Sequence, residues 1–383
     1  MMPSPAASGR EALLAGIEAG FPLSGPETIH IDITNSCNAN CLTCWDHSPL
    51  LERPRPRRWK ARMADPAFVE ALLDDATRLG GLRAAILSGR GEPFLHPAVE
   101  RMIRAVKARG LRLTIITNLM APAAADADKL AELGVDEILA GVHAGSEASY
   151  RAIHPSFPAG SWEELQRRLG ALAAAGRSCK HAQVICAPNA DELPAMVELG
   201  ARLGASALSF KLASLGGGTE ACRISEEQRK RLVEEVLPAA AAKAEALGVR
   251  ANLGRFGRQL EAAGASPSAT VPIARVGCLM GYAYARVTVE RELLYCCDGE
   301  ARVGRLGRDA RFAEAWRSPA WEGLRARLRQ GRYFPGCARC GKYAQNEALG
   351  ALFAAAYGER RLAELTGRAV PDATFPAEAA PCP

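Results

Sequence analysis

No stretch of this chain offers the roughly 18 uninterrupted apolar residues that a membrane span requires. Met1–Arg10 also lacks the basic region and apolar run of a signal peptide. The reading therefore expects no membrane partner and a cytoplasmic location. Aromatic residues are scarce, 6% of the chain, and much of the apolar content is Ala and Leu, which favours helices. Neither sign of charge dominates. The formal excess is +6, which suits an anionic ligand but does not by itself argue for nucleic acid. Leu215-Gly216-Gly217-Gly218 has no Lys-Ser/Thr after it, so it reads as a flexible loop and not as a phosphate cradle. Cysteine, by contrast, is plentiful. Twelve in 383 residues are too many to ignore, yet the chain is neither small nor visibly exported, which argues against a disulfide framework. Seven of the twelve fall into two spaced sets, a distribution that favours metal binding.

From Glu27 to about Leu253, short β-rich runs alternate with helical patterns, the signature of βα units. The expected strands are Thr28–Thr34, Arg83–Leu87, Arg112–Thr117, Glu137–Val142, His181–Cys186 and Ala205–Lys211. Between them, Phe68, Val69, Leu72, Leu73 and Ala76 share a helix face, as do Leu193, Met196, Val197 and Leu203. Six such units suggest an α/β fold whose parallel sheet curls into a partial (β/α)6 barrel, although periodicity alone does not separate a curled sheet from a flat one. Ligands of a curled parallel sheet gather at the C-terminal ends of its strands. Ser225–Leu247 reads as a capped helix, and a Gly, Ala, Ser and Pro-rich loop from Gly254 to Pro272 marks a boundary. Tyr284–Val289 and Leu293–Cys297 read as a hairpin, and Phe312–Leu328 as a helix broken at Pro319. The expected division is an extension (1–26), a barrel (27–254), a linker (255–275), a cysteine-bearing domain (276–345), and a C-terminal helix with a loose tail (346–383).

Cys37, Cys41 and Cys44 follow directly on the first strand. Three thiolates on one loop can hold three irons of a cubane and leave the fourth iron open to an external ligand. Zinc is the alternative, because His47 would complete a Cys₃His set. Structural zinc usually staples a small module, however, and this motif opens a large domain that needs no staple.

On this spacing the chain resembles the radical S-adenosylmethionine (AdoMet) superfamily. Ser88-Gly89-Arg90-Gly91-Glu92-Pro93, at the end of the second strand, is similar to the family's Gly-Gly-Glu segment. The resemblance implies that Gly91, Glu92 and Pro93 lie at the AdoMet methionine, with Glu92 accepting from its amino group. It also implies AdoMet contacts from Thr117 and Asn118 after the third strand, His143 after the fourth and Asn189 after the fifth. Two departures stand out: Thr43 replaces the usual aromatic residue before the third cysteine, and His143 stands where Ser is common. The implied chemistry is reductive cleavage of AdoMet by a 4Fe–4S cluster on Cys37, Cys41 and Cys44, giving a 5′-deoxyadenosyl radical that abstracts a hydrogen atom. The implied reductant is a flavodoxin or ferredoxin.

Cys278, Cys296, Cys337 and Cys340 form the second set, and its spacing alone allows a closed iron–sulfur cluster or a structural zinc. Here the chain is similar to the twitch domain, the one-cluster relative of the SPASM domain, and in overall plan to 2-deoxy-scyllo-inosamine dehydrogenases. The resemblance implies a second, auxiliary 4Fe–4S cluster and a small polar substrate, such as a sugar or aminocyclitol, that is dehydrogenated or epimerised. A peptide substrate is the alternative. Cys297 leaves the register of this ligand set ambiguous, and Cys179, Cys186 and Cys222 read as small buried hydrophobes.

The basic run Arg53–Arg62 lies between the cysteine loop and the first barrel helix, where Arg57 and Arg58 are candidates for holding an anionic substrate. Its near lack of aromatics argues against nucleic acid. Phe210-Lys211 closes the sixth strand and places Lys211 in the cavity of a curled sheet. Metal content separates the main readings: anaerobically reconstituted protein is expected to be brown, with about eight irons per chain. Colourless protein holding zinc and refusing iron would make it a zinc-stapled binding module instead.

Overall fold

The computed structural model describes residues 9–124, 126–262, 273–297 and 301–367. Its frame is six parallel strands lying side by side in chain order: β1 (Thr28–Thr34), β2 (Ala84–Gly89), β3 (Arg112–Thr117), β4 (Glu137–Gly141), β5 (Ser178–Ile185) and β6 (Ala207–Leu212). Alternation along each strand assigns its two faces. Ile29, Ile31 and Ile33 of β1 are buried in the core shared with the helix Pro66–Arg78, whereas His30 and Asp32 point the other way. That helix starts where Asp65 accepts from Ala67 N–H and Pro66 presets the first turn. It buries the expected face of Phe68, Val69, Leu72, Leu73 and Ala76, and each large side chain contributes roughly 1.5–3 kcal/mol. Leu208, Phe210 and Leu212 of β6 likewise meet Leu193, Met196 and Val197 of the helix Leu193–Arg202.

The sheet is curled. β6 and the C-terminal hairpin lie far apart in the strand order, yet the charges of Lys211 on β6 and Cys297 after the hairpin act on one another. Only a sheet bent around a lumen brings them together. Residues that alternate away from the helices line this lumen, among them Asp32, Ser88, Val184 and Lys211.

The C-terminal segment does not stand apart as a separate layer. β7 (Tyr284–Val287) pairs in parallel with β1, β8 (Glu292–Leu294) turns back on β7, and β9 (Arg302–Arg305) completes a sheet of nine strands. The junction is polar and buried. Arg286 of β7 makes a bidentate ion pair with Asp32 of β1, with contacts of 2.8 to 3.2 Å. His30 bonds Tyr284 Oη through Nδ1 at 2.7 Å and Ser88 Oγ through Nε2.

Several expectations need correction. The loop expected from Gly254 begins as a helix, Leu253–Ala262, whose Phe256 packs on Phe210 and whose Gln259 accepts from Leu212 N–H, so it covers the open edge of β6. Residues 263–272 of the linker and the tail from 368 onward, with Cys382, lie outside the described residues. Ser225–Leu247 is interrupted by a π-helical turn, Leu232–Val236, just ahead of Pro238, which cannot donate to a regular ladder. The N-terminal extension contains a helix, Gly9–Ala19, tied through Glu18 to Arg361 of the C-terminal helix Glu359–Thr366. The break at Pro319 is real: Ser318 caps a new helix, Pro319–Arg329. In the Gly-rich loop only Gly218 is closely packed, where a methyl would stand 2.2 Å from Leu50 O, while Gly216 and Gly217 face open space. Among the described residues, no helix is long and apolar enough to cross a membrane.

Arg286→Ala strands the Asp32 carboxylate in the wall and is expected to cost about 3–5 kcal/mol in urea unfolding. A loss below about 1 kcal/mol would show that the pair does not anchor β7.

Candidate cofactor site

The loop after β1 carries Cys37, Cys41 and Cys44, and neighbouring loops hold it on every side. Ser36 O accepts from Glu92 N–H at 2.7 Å, Leu42 N–H donates to Ile153 O at 2.9 Å, and Trp45 Nε1–H donates to Ser214 O. Asn40 exchanges two hydrogen bonds with Ser156. Loops following β1, β2, β4 and β6 therefore converge over the C-terminal mouth of the lumen. The approach to β2 requires glycine. A methyl at Gly89 would lie 2.1 Å from Thr34 O, and one at Gly91 would lie 2.0 Å from Ser36 O. The absent side chain of Gly91 thus makes room for the cysteine loop itself.

Glu92 is buried and knits this region together. Its carboxylate accepts from Thr117 Oγ1–H at 2.7 Å, Asn118 N–H at 2.7 Å and Phe94 N–H at 3.1 Å. About four acceptor positions exist on a carboxylate, so one remains. Burial pushes its pKa up to about 7, with the three hydrogen bonds opposing. Pro93 opens the short turn Pro93–Leu95 beneath it. Asn118 donates from Nδ2 to Asn38 Oδ1 at 2.9 Å and lies 4.0 Å from Cys37 Sγ.

The three thiols lie close enough that ionising one opposes ionising another. Burial pushes Cys37 up to about 12, and raises Cys41 and Cys44 as well, so the free chain holds neutral thiols. A bound metal would have to displace those protons. Soft thiolates crowded on one loop fit an iron–sulfur cluster. His47 is a poor fourth ligand through Nε2, which is committed to Arg90 O at 2.9 Å. Among the described residues, no cluster of His, Cys, Asp and Glu is drawn tightly around a single ion position.

The other expected contacts divide into wall and lumen. Asn189 is buried: Nδ2 donates to His143 O and Val184 O, and Oδ1 accepts from Cys186 N–H, which leaves one lone pair on Oδ1. These bonds tie the chain after β4 to β5. His143 adopts a left-handed backbone (φ 60) and accepts from Val184 N–H through Nδ1. Arg57 and Arg58 sit exposed on a short helix, Arg57–Lys60, whereas Arg55 and Arg90 both bind Asp46 at 2.8 Å and stack on Trp59. The reading of the sequence missed this stack and the Asp32–Arg286 pair. The signal for the pair was present: one charge in each of two apolar runs, Thr28–Thr34 and Tyr284–Val287.

At the second cysteine set, Cys278 and Cys340 are pushed up to about 12 by burial and by neighbouring thiols, and Cys337 and Cys297 act on both. Cys297 belongs to this group as much as Cys296 does. A methyl at Gly341 would meet its Sγ at 2.9 Å.

The sequence signature described as the radical SAM superfamily matches residues 31–199, from β1 into the helix Leu193–Arg202. This segment belongs to that superfamily. The chain is 33% identical over 110 residues to a tungsten-containing aldehyde ferredoxin oxidoreductase cofactor-modifying protein of Pyrococcus furiosus. The chain is also 28% identical over 190 residues to a PqqA peptide cyclase of a Methylobacterium. The matches cover 28% and 49% of this chain, and only 28% and 46% of those relatives. The fold is similar to that of Streptococcus suis SuiB bound to S-adenosylmethionine, with TM-score 0.58 at 16% identity over 79% of this chain and 68% of that one. It is also similar to anSMEcpe with bound AdoMet, with TM-score 0.56 at 12% identity over 89% of this chain and 95% of that one.

Glu92 makes stability depend on pH. Unfolded, it ionises near 4.5; folded, near about 7, so the native state holds the proton more tightly between these values. Relative to Glu92→Gln, the cofactor-free chain is expected to lose about 3 kcal/mol as pH rises through that window. Parallel pH profiles of the two proteins in urea unfolding would overturn this.

Proposed function

We propose that this radical SAM chain abstracts a hydrogen atom from a polar substrate held in the barrel lumen. The observation that carries the reading is the cysteine loop locked by Glu92 and Gly91 over the lumen mouth. Cys37, Cys41 and Cys44 would hold a 4Fe–4S cluster, which with AdoMet supplies a 5′-deoxyadenosyl radical. The remaining acceptor position of Glu92 suits the methionine ammonium, and Asn118 orients the loop through Asn38. The lumen wall orients the substrate and limits its contact with water. Cys278, Cys337 and Cys340, with a fourth thiolate from the Cys296–Cys297 pair, suit an auxiliary cluster of the twitch type. Such a cluster across the lumen favours oxidation or epimerisation of a small polar molecule. A flavodoxin or ferredoxin is the proposed reductant.

A peptide substrate is the second reading. It is favoured by the likeness to a PqqA peptide cyclase, a protein named for a peptide it acts on.

Anaerobically reconstituted protein given reductant and AdoMet is expected to release 5′-deoxyadenosine. The Cys37/Cys41/Cys44→Ala variant is expected to release none. Equal amounts from both would sink the assignment.

A further inference from the structure

The lumen wall carries a cation whose ammonium is in no ion pair with any described residue, although the charge of Cys297 acts on it. Lys211 is the last lumen-facing residue of β6, and its side chain is exposed to solvent. Its ammonium makes no hydrogen bond or ion pair with any described residue, whereas its backbone is paired in the β5–β6 ladder. Beside it in register stands Val184 of β5, whose N–H donates to His143 Nδ1 at 3.1 Å.

That hydrogen bond sets the tautomer of His143. With Nδ1 accepting, the ring proton sits on Nε2. Burial, His154 and Lys211 together push the pKa down to about 3, so the ring stays neutral and keeps a single N–H donor. The left-handed backbone, the stack on His154 at 5.7 Å and the hydrogen bond from Asn189 to His143 O fix the ring. Its Nε2 lies 2.8 Å from where a side chain on Gly141 would begin, over the lumen face of β4. An ammonium and an imidazole N–H therefore flank Val184.

The lumen carboxylates Asp32 and Glu137 are already paired. Asp32 is held by Arg286 at 2.8 Å, and Glu137, at the start of β4, by Lys180 at 2.9 Å. Lys342 stacks on Tyr284 with Nζ 3.9 Å from the ring centroid, which adds a second cation to the lumen. Cys297 is the remaining neighbour of Lys211.

We propose that Lys211 and His143 form the receptor for an anionic group, a carboxylate or a phosphate monoester, on the molecule bound in the lumen. What that molecule then undergoes rests on the radical reading above; the binding does not.

The test labels the reconstituted full chain with pyridoxal 5′-phosphate, an anionic aldehyde. The lysine amine condenses with the aldehyde, losing water, and cyanoborohydride reduces the imine to a stable secondary amine that peptide mapping locates. Lys211 is expected to be labelled, and inorganic phosphate or malonate at millimolar concentration is expected to slow this several-fold while exposed Lys230 is unaffected. Protection by phosphate alone identifies a phosphate receptor, and protection by malonate a carboxylate receptor. His143→Ala is expected to raise the protecting anion concentration about tenfold.

Three results would overturn the proposal. Neither anion protects Lys211; or AdoMet alone protects it as fully, which assigns the pair to the cofactor's carboxylate; or reconstitution by itself abolishes labelling, which makes the auxiliary cysteines the counter-charge. A 5′-deoxyadenosine assay on the same preparation separates the claims. Anion protection without AdoMet cleavage leaves the receptor standing and removes the radical reading, and cleavage without protection does the reverse.

Discussion

Glu92 N–H reaches the carbonyl of Ser36 over 2.7 Å, and this contact exists only because Gly89 and Gly91 have no side chains. It brings the ends of β1 and β2 together at the lumen mouth. Once they touch, the Glu92 carboxylate is carried inward, where Thr117, Asn118 and Phe94 hold it. Asn118 then meets Asn38, inside the cysteine loop. A steric allowance at two glycines thus orders three strand ends and the loop that carries the thiols. Backbone carbonyls packed this closely leave no room for a methyl, so the constraint acts on residue type directly.

A second constraint works from within the wall. Asp32 and Arg286 are charges on the lumen side of adjacent strands, and burying either alone would be costly. Paired bidentately, and flanked by His30, Ser88 and Tyr284, they fasten β7 to β1. The C-terminal cysteines are thereby brought to face the lumen from the side opposite β6. The first cysteine loop depends on steric contact and the second cysteine set on electrostatics, and the curl of the sheet sets both around one cavity.

Much of the barrel was legible in the sequence because strands and helices follow short-range rules. The period-2 run at Thr28–Thr34 and the shared face of Phe68, Leu72 and Ala76 need only local spacing. The cysteine motif was legible for the same reason, since the eight residues from Cys37 to Cys44 carry all three thiols on one loop. The roles of Glu92 and Asn189 were less so. Both were expected to face the cofactor. Asn189 proves to bond backbone groups just after β4 and in and after β5, and Glu92 the N–H groups of Phe94 and Asn118 and the hydroxyl of Thr117, partners separated from them by anything from two to forty-six residues. The helix Leu253–Ala262 was hidden because its Gly254 and Gly257 weigh against a helix, a local preference that packing on β6 overrides.

The sequence by itself determined the alternation of strands and helices, the loop on which three thiols sit, and the glycines that loop needs. These are set by periodicity and by the allowed geometry of single residues. Tertiary structure alone decided that the C-terminal hairpin extends the barrel sheet, that Cys297 lies among the second set of cysteines, and that Lys211 faces it across the lumen. These depend on which distant strands pair and how far the sheet curls, and no local period in the chain carries that information.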